Sequence, residues 1–194
     1  MLSRLTPRRV GEGLPAHAPQ AEAKGPTAQG PSECVDAGVA HDSKRVALVV
    51  GNGAYKVQPL ANPGNDAKAI AGKLGELGFR VILCQNLART GMREALQRLR
   101  TAVQGVEIAA VYFAGHGAER RGRNYLIPTD AKLDHASDLA LEAIALDDVL
   151  DRLAGAAKLR LVLLDACRNN PFPLAGEDRS ATRGLSRRRR KTTR

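Results

Sequence analysis

The sequence has no tryptophan, three tyrosines and three phenylalanines in 194 residues, an aromatic content of 3%. Any core must therefore be aliphatic, and a hydrophobic content of 43% supplies enough of it for one domain. No apolar run reaches the ~18 residues of a membrane-spanning helix. Arg4, Arg8 and Arg9 lie near the start, but no apolar stretch follows them, which argues against a secretory signal. The three cysteines, Cys34, Cys84 and Cys167, are too few and too scattered for a disulfide framework and show no metal-ligand spacing. A reduced, cytoplasmic compartment is the default expectation.

Basic charge is plentiful but unevenly placed. The formal net charge is +10, yet Arg183, Arg187, Arg188, Arg189, Arg190, Lys191 and Arg194 all fall in the last twelve residues, and without them the chain carries +3. The charge therefore belongs to a basic, disordered tail over residues 175–194. Such a tail can touch nucleic acid through nonspecific charge. No aromatic platform accompanies it, and a solvated end is the simpler account. Residues 1–43 are rich in Pro, Gly and Ala without sustained periodicity, and read as a disordered leader.

Residues 44–174 alternate between two periods. The apolar run 46–50 reads as a buried strand. Gly51-Asn52-Gly53 behind it suggests a nucleotide loop, but the third glycine and an immediate helix are missing. Asn65 or Asp66 is placed to cap a helix, with Ala67, Ile70, Ala71, Leu74 and Leu77 on one face and Gly78 closing it. Residues 79–84 form the next strand, with Cys84 as a small core residue. Thr90 caps a second helix with Met92, Ala95, Leu96, Leu99 and Val103 inward. Residues 108–113 are a third strand and 119–124 a charged loop. Asp147 caps a last helix, and 160–164 are a fourth strand, fully buried. This order predicts an α/β domain with a parallel sheet.

Two of these strands end in chemistry. Leu161-Val162-Leu163-Leu164 runs directly into Asp165-Ala166-Cys167, which places the thiol at the carboxyl end of a buried strand, where α/β sheets hold their ligands. Alone, such a cysteine is more often structural than reactive. Its partner lies 51 residues upstream, where strand 108–113 runs into Ala114-Gly115-His116-Gly117. The flanking glycines let the chain turn and leave the imidazole uncovered. If the strands are parallel neighbours, both residues leave the sheet at one edge. An imidazole that takes the thiol proton and a thiolate that attacks a carbonyl are the usual recipe for nucleophilic catalysis.

The spacing and the Ala166-Cys167-Arg168 text match the caspase pattern of a cysteine with its histidine about 50 residues upstream. With residues 45–52, Asn65-Asp66-Ala67, 112–117 and 164–172, the chain resembles the large-subunit region of caspase-like cysteine peptidases over residues 45–173. It is most similar to the bacterial branch related to metacaspases and paracaspases. The resemblance implies a three-layer sandwich, mainly parallel, with helices on both faces. It implies Cys167 as nucleophile, His116 as base, and an oxyanion hole from the backbone N–H groups of Gly117 and Cys167. It implies a peptide or protein substrate, with Asp165 and Asp66 lining a pocket for Arg or Lys at P1, whereas caspases specific for Asp have glutamine at the position of Asp165. Helix capping accounts for Asp66 nearly as well, and Pro63 and Ala114 depart from the metacaspase pattern.

Asp147 and Asp148 resemble the calcium-binding acids of metacaspases, although capping explains them more simply. No other cofactor or metal is implied. The resemblance also implies small-subunit strands after the cysteine, and residues 175–194 do not suit a buried strand. An open sheet edge beside strand 160–164 is then expected, ready for self-association or a small-subunit partner. The alternative is a catalytically inactive caspase-fold module that binds a partner through that edge.

Overall fold

Val46, Leu48 and Val50 face one side of a strand and Ala47 and Val49 the other, and all five are buried. A strand with both faces dry must lie between two layers. The computed structural model describes residues 33–37 and 43–167 and builds those layers. Its strands are β1 (Glu33–Asp36), β2 (Arg45–Gly51), β3 (Arg80–Gln85), β4 (Ile108–Arg120), β5 (Arg123–Leu126), β6 (Ile144–Ala145) and β7 (Leu159–Cys167). Its helices are α1 (Pro63–Glu76), α2 (Arg89–Ala102), α3 (Leu139–Glu142) and α4 (Leu146–Arg152), with a 3-10 turn at Ala136–Asp138.

The strands form one mixed, mostly parallel sheet. β2 pairs in parallel with both β3 and β4, and β7 pairs in parallel with β4. β1 is antiparallel to β3, and β5 and β6 extend antiparallel from the far end of β4. Helix α1 covers one face, packing Ala67 and Ala71 onto Ala47, Val49, Val81, Ala110 and Tyr112. On the other face α2 and α4 pack Met92, Leu96, Leu99 and Val149 onto Leu48, Val50, Val111 and Phe113. The result is the three-layer α/β sandwich expected from the sequence.

Several local expectations are corrected. Residues 1–43 are not all leader, because β1 lies within them. β1 sets Cys34 opposite Cys84, and the two form a disulfide with a Cα–Cα distance of 4.1 Å. Cys84 is thus buried as expected, but it is not a lone thiol. The expectation of reduced cysteines does not hold at this pair. Arg98 of α2 adds an ion pair to Asp36 of β1 at 2.6 Å.

Helix starts differ in a consistent way. α1 begins at Pro63, where the missing N–H and fixed φ suit a first helical residue. Asn65 and Asp66 therefore sit inside the first turn and do not cap it. α2 begins at Arg89, before Thr90, and its cap comes from far away: Asp130 Oδ1 accepts the Arg89 N–H at 2.8 Å. Asp147 likewise lies in the first turn of α4, behind an Ala145 cap. The basic tail, the outer part of the leader and everything after Cys167 lie outside the described residues. Among those described, no helix is long and apolar enough to cross a membrane.

The strand 160–164 lies at a sheet edge within the described residues, where an open edge was expected, but it is not fully buried as its apolar run suggested. Val162 and Leu164 pack on the α2–α4 core, but Leu159, Leu161 and Leu163 on the other face are 44%, 37% and 47% exposed. On that face α1 makes its main contacts with β2, β3 and β4.

Tight contact between α1 and β2 carries the first prediction. A Cβ at Gly51 would collide with the Pro63 carbonyl oxygen and stand 2.7 Å from Ala67 Cβ. Gly51→Ala should lower stability by about 1–3 kcal/mol in urea denaturation, the usual cost of overpacking. An unchanged midpoint would show that α1 rides freely over the sheet.

Candidate active site

Strand β4 does not stop at the Gly-His-Gly segment, as the sequence suggested, but continues through it to Arg120. Its end folds back through Arg121 and Gly122, both at positive φ, the signature of a tight two-residue hairpin. The expected charged loop at 119–124 is this hairpin. Because β4 runs on, His116 remains in the sheet, and its register partner is Cys167, the last residue of β7. The two candidate catalytic residues are thus directly paired neighbours at one edge of the sheet.

The imidazole is not uncovered. His116 is only 2% exposed. The ring of Tyr55 lies against it, with centroids 4.3 Å apart. The Tyr55 hydroxyl accepts the His116 backbone N–H at 3.0 Å and donates to the Ile127 carbonyl at 3.0 Å. Gly115 is required by this closeness, since a Cβ there would stand 2.6 Å from the Tyr55 hydroxyl and 2.9 Å from Phe113 Cζ. His116 Nε2 lies 2.8 Å from the Gln58 carbonyl oxygen. A carbonyl can only accept, so the proton belongs on Nε2, and the neutral ring carries its basic lone pair on Nδ1. Burial disfavours the cation and holds the pKa below the ordinary histidine value, partly offset by the Gln58 carbonyl.

The Gly51-Asn52-Gly53 turn proves to be scaffolding. Asn52 is fully buried. Its Oδ1 accepts the Leu87 N–H at 2.9 Å, and its Nδ2 donates to the carbonyls of Leu87 and Ile127. Asn86 Oδ1 accepts the N–H groups of Gly53 and Ala54 at 3.0 Å each. These side chains occupy the backbone groups that a phosphate would need.

Gly117 faces Leu126 across the β4–β5 ladder, while the Ile127 N–H donates to the His116 carbonyl at 3.0 Å. In that pattern Gly117 and Leu126 are a non-hydrogen-bonded pair. The ladder therefore directs the Gly117 N–H away from β5, toward the β7 side of β4.

Asp165 pairs with Ala114 two positions before the His116–Cys167 pair, and is exposed. The Tyr112 hydroxyl donates to its Oδ2 at 3.2 Å. The Tyr112 pKa is pushed up to about 12 by burial first, then by the carboxylates of Asp165 and Asp66. Asp66, half-buried in the first turn of α1, is near enough to act on the same phenol through its charge. Asp147 and Asp148 lie elsewhere. Asp147 is 4.0 Å from Arg123, and Asp148 lines a groove of about 490 Å³ together with Arg93, Arg123 and Arg152. Arginines in that position oppose a cation. Among the described residues no three carboxylates, histidines or cysteines gather to hold a metal.

The caspase-domain family model matches residues 44–193. The chain belongs to the caspase-domain family. It is 29% identical over 126 residues to human mucosa-associated lymphoid tissue lymphoma translocation protein 1, and 28% identical to the mouse homolog. Each match covers 64% of this chain but only 15% of the relative, so the chain spans a small part of the curated relatives it matches. Among solved structures, the Drosophila initiator caspase Dronc superposes with a TM-score of 0.50 at 17% identity, covering 68% of this chain and 57% of that one. A protein from Geobacter sulfurreducens superposes equally well at 19% identity, covering 64% and 50%. These likenesses establish the caspase fold.

The structure sets the candidates His116 and Cys167 side by side and Asp165 near them on β7, while the sequence reading gave no role to Tyr55 and Gln58 and cited Tyr112 only as part of the 112–117 segment. Tyr55 and Gln58 lie in an irregular loop that carries no periodic signal. Their role gives a second prediction. Tyr55→Phe keeps the ring and removes one donor and one acceptor from a buried network. It should cost about 1–3 kcal/mol of stability in denaturant titration. A change under a few tenths would mean that water replaces the hydroxyl.

Proposed function

We propose that the chain is the catalytic unit of a cysteine endopeptidase. Cys167 attacks the scissile carbonyl as a thiolate, and His116 takes the thiol proton and delivers it to the leaving amine. The backbone N–H groups of Gly117 and Cys167 stabilise the tetrahedral oxyanion. Asp165 and Asp66 select Arg or Lys at P1, because two carboxylates in one corner attract a cation and repel an acidic side chain. The observation that carries this reading is the β4–β7 register, which sets His116 beside Cys167. Membership of the caspase-domain family supports it independently. The proposed activity needs no metal step, since every role falls to residues of the chain.

A second reading rests on a different observation. The exposed row Leu159, Leu161 and Leu163 on an edge strand favours docking of another strand, either from a second copy or from a small-subunit partner. The same domain could then act as a binding module whose catalytic residues are idle.

Fluorogenic peptides with Arg, Lys or Asp at P1, assayed beside Cys167→Ala, separate the two readings. Hydrolysis after Arg or Lys that disappears in the variant is expected. Hydrolysis after Asp would remove the pocket assignment, and a folded but inert wild type would leave the binding module. The pH profile is a further check. The folded protein holds His116 neutral below the ordinary value of 6.5, so the base is competent at lower pH than a solvated histidine. The acid limb of kcat/KM should fall below pH 6.5. An acid limb above 6.5 would argue against a buried imidazole as the base.

A further inference from the structure

Tyr112 opens the segment 112–117 that carries the family resemblance, but the resemblance gives it no role. It lies opposite Leu163 in the parallel β4–β7 ladder, and Ala114 lies opposite Asp165. Residues two apart on a strand share a face, so Tyr112, Ala114, Leu163 and Asp165 all look toward the α1 side. Asp165 is the diagonal neighbour of Tyr112 across the ladder, a gap that a tyrosine can span and an alanine cannot. It does so: the ring is 7% exposed, and the hydroxyl reaches Asp165 Oδ2 at 3.2 Å. Behind it, the first turn of α1 brings Asp66, next to Ala67, which packs into the same face. The position of Ala114 offers no polar group. The phenol thus bonds one carboxylate and feels the charge of the other.

We infer that Tyr112 is a specificity-determining residue of the P1 pocket, orienting Asp165 and favouring arginine over lysine. This rests on the peptidase reading above and goes beyond it by naming how the pocket tells two cations apart. The hydroxyl has one proton, which it gives to Asp165, and its oxygen keeps lone pairs that accept. A guanidinium carries five N–H donors in a planar fork and can bond Asp165, Asp66 and the phenol oxygen together. An ammonium is compact, has three donors and is satisfied by one carboxylate and water. Loss of the hydroxyl frees the exposed Asp165 carboxylate to turn into solvent and removes an acceptor that only the longer, forked side chain uses. The phenol stays protonated through the working range, since its pKa lies near 12, so Asp165 never loses its donor by titration.

Two peptides that differ only in Arg or Lys at P1, hydrolysed by wild type and by Tyr112→Phe, test the idea. The Arg-to-Lys ratio of kcat/KM should fall by about ten-fold, the effect of one hydrogen bond to a charged group. Wild-type turnover with an unchanged ratio, or equal losses on both peptides, would overturn the inference while leaving the peptidase intact. Failure of the wild type on both peptides would instead remove the peptidase reading and the inference with it. A second measurement needs no turnover. With tyrosines labelled at Cζ, the pH titration of Tyr112 should shift downward in Asp165→Asn. A titration that does not move would show that the two side chains do not meet in solution, and would overturn the inference even if Tyr112→Phe proved unstable.

Discussion

The parallel pairing of β4 with β7 is the interaction on which the rest depends. Register in a sheet is all or nothing, since a slip of one residue turns every side chain to the opposite face. Here one register does two jobs. It places Val162 and Leu164 on the α2–α4 core, and it brings His116 level with Cys167 and Ala114 level with Asp165. The apolar alternation that selects the register thus also aligns the chemistry. The folding energy of β7 and the geometry of the site are the same fact seen from its two ends.

Strand alignment alone would leave a histidine loosely held. Its orientation comes from loops, and those loops are tied by a small set of buried polar groups. The Ile127 carbonyl receives donors from both Asn52 and Tyr55. Tyr55 then passes the constraint to the His116 backbone, and Gln58 to its ring. Each of these bonds is modest in net energy, but each buried partner left unpaired is expensive. The network therefore tolerates little rearrangement, which is what a proton-transferring imidazole needs. The same burial keeps the ring neutral, suited to accept a proton when a thiol presents one.

The legible parts of the fold were those written in periodicity. The strands at 46–50, 79–84 and 108–113 and the two long helices follow from apolar spacing, and their order implied the sandwich. The pairing of His116 with Cys167 followed from two strand ends of similar text. What failed was nonlocal. Asp130 capping α2 and Cys34 meeting Cys84 both join residues more than forty positions apart, and no local pattern announces either. The exposure of Leu159, Leu161 and Leu163 was also illegible, because an apolar run does not say whether its neighbours cover both faces. The expectation of an uncovered imidazole erred for a related reason. The glycines around His116 were read as freedom to turn, whereas Gly115 serves the close approach of Tyr55.

The bare face of β7 bears on substrate and partner alike. Leu159, Leu161 and Leu163 lie on the same face as Asp165, in one line toward the catalytic edge. A row of large apolar side chains left in water is costly, at roughly 25 cal/mol per Å². Whatever covers that row must approach Asp165, whose exposed carboxylate ends it. In the proposed peptidase, an element docked there would wall the P1 pocket on its open side, strengthening its charge interactions by excluding water. On that proposal docking and catalysis are coupled rather than rival uses of the strand: the apolar row would supply the affinity, and closing the row would complete the pocket proposed for Tyr112 and the two aspartates.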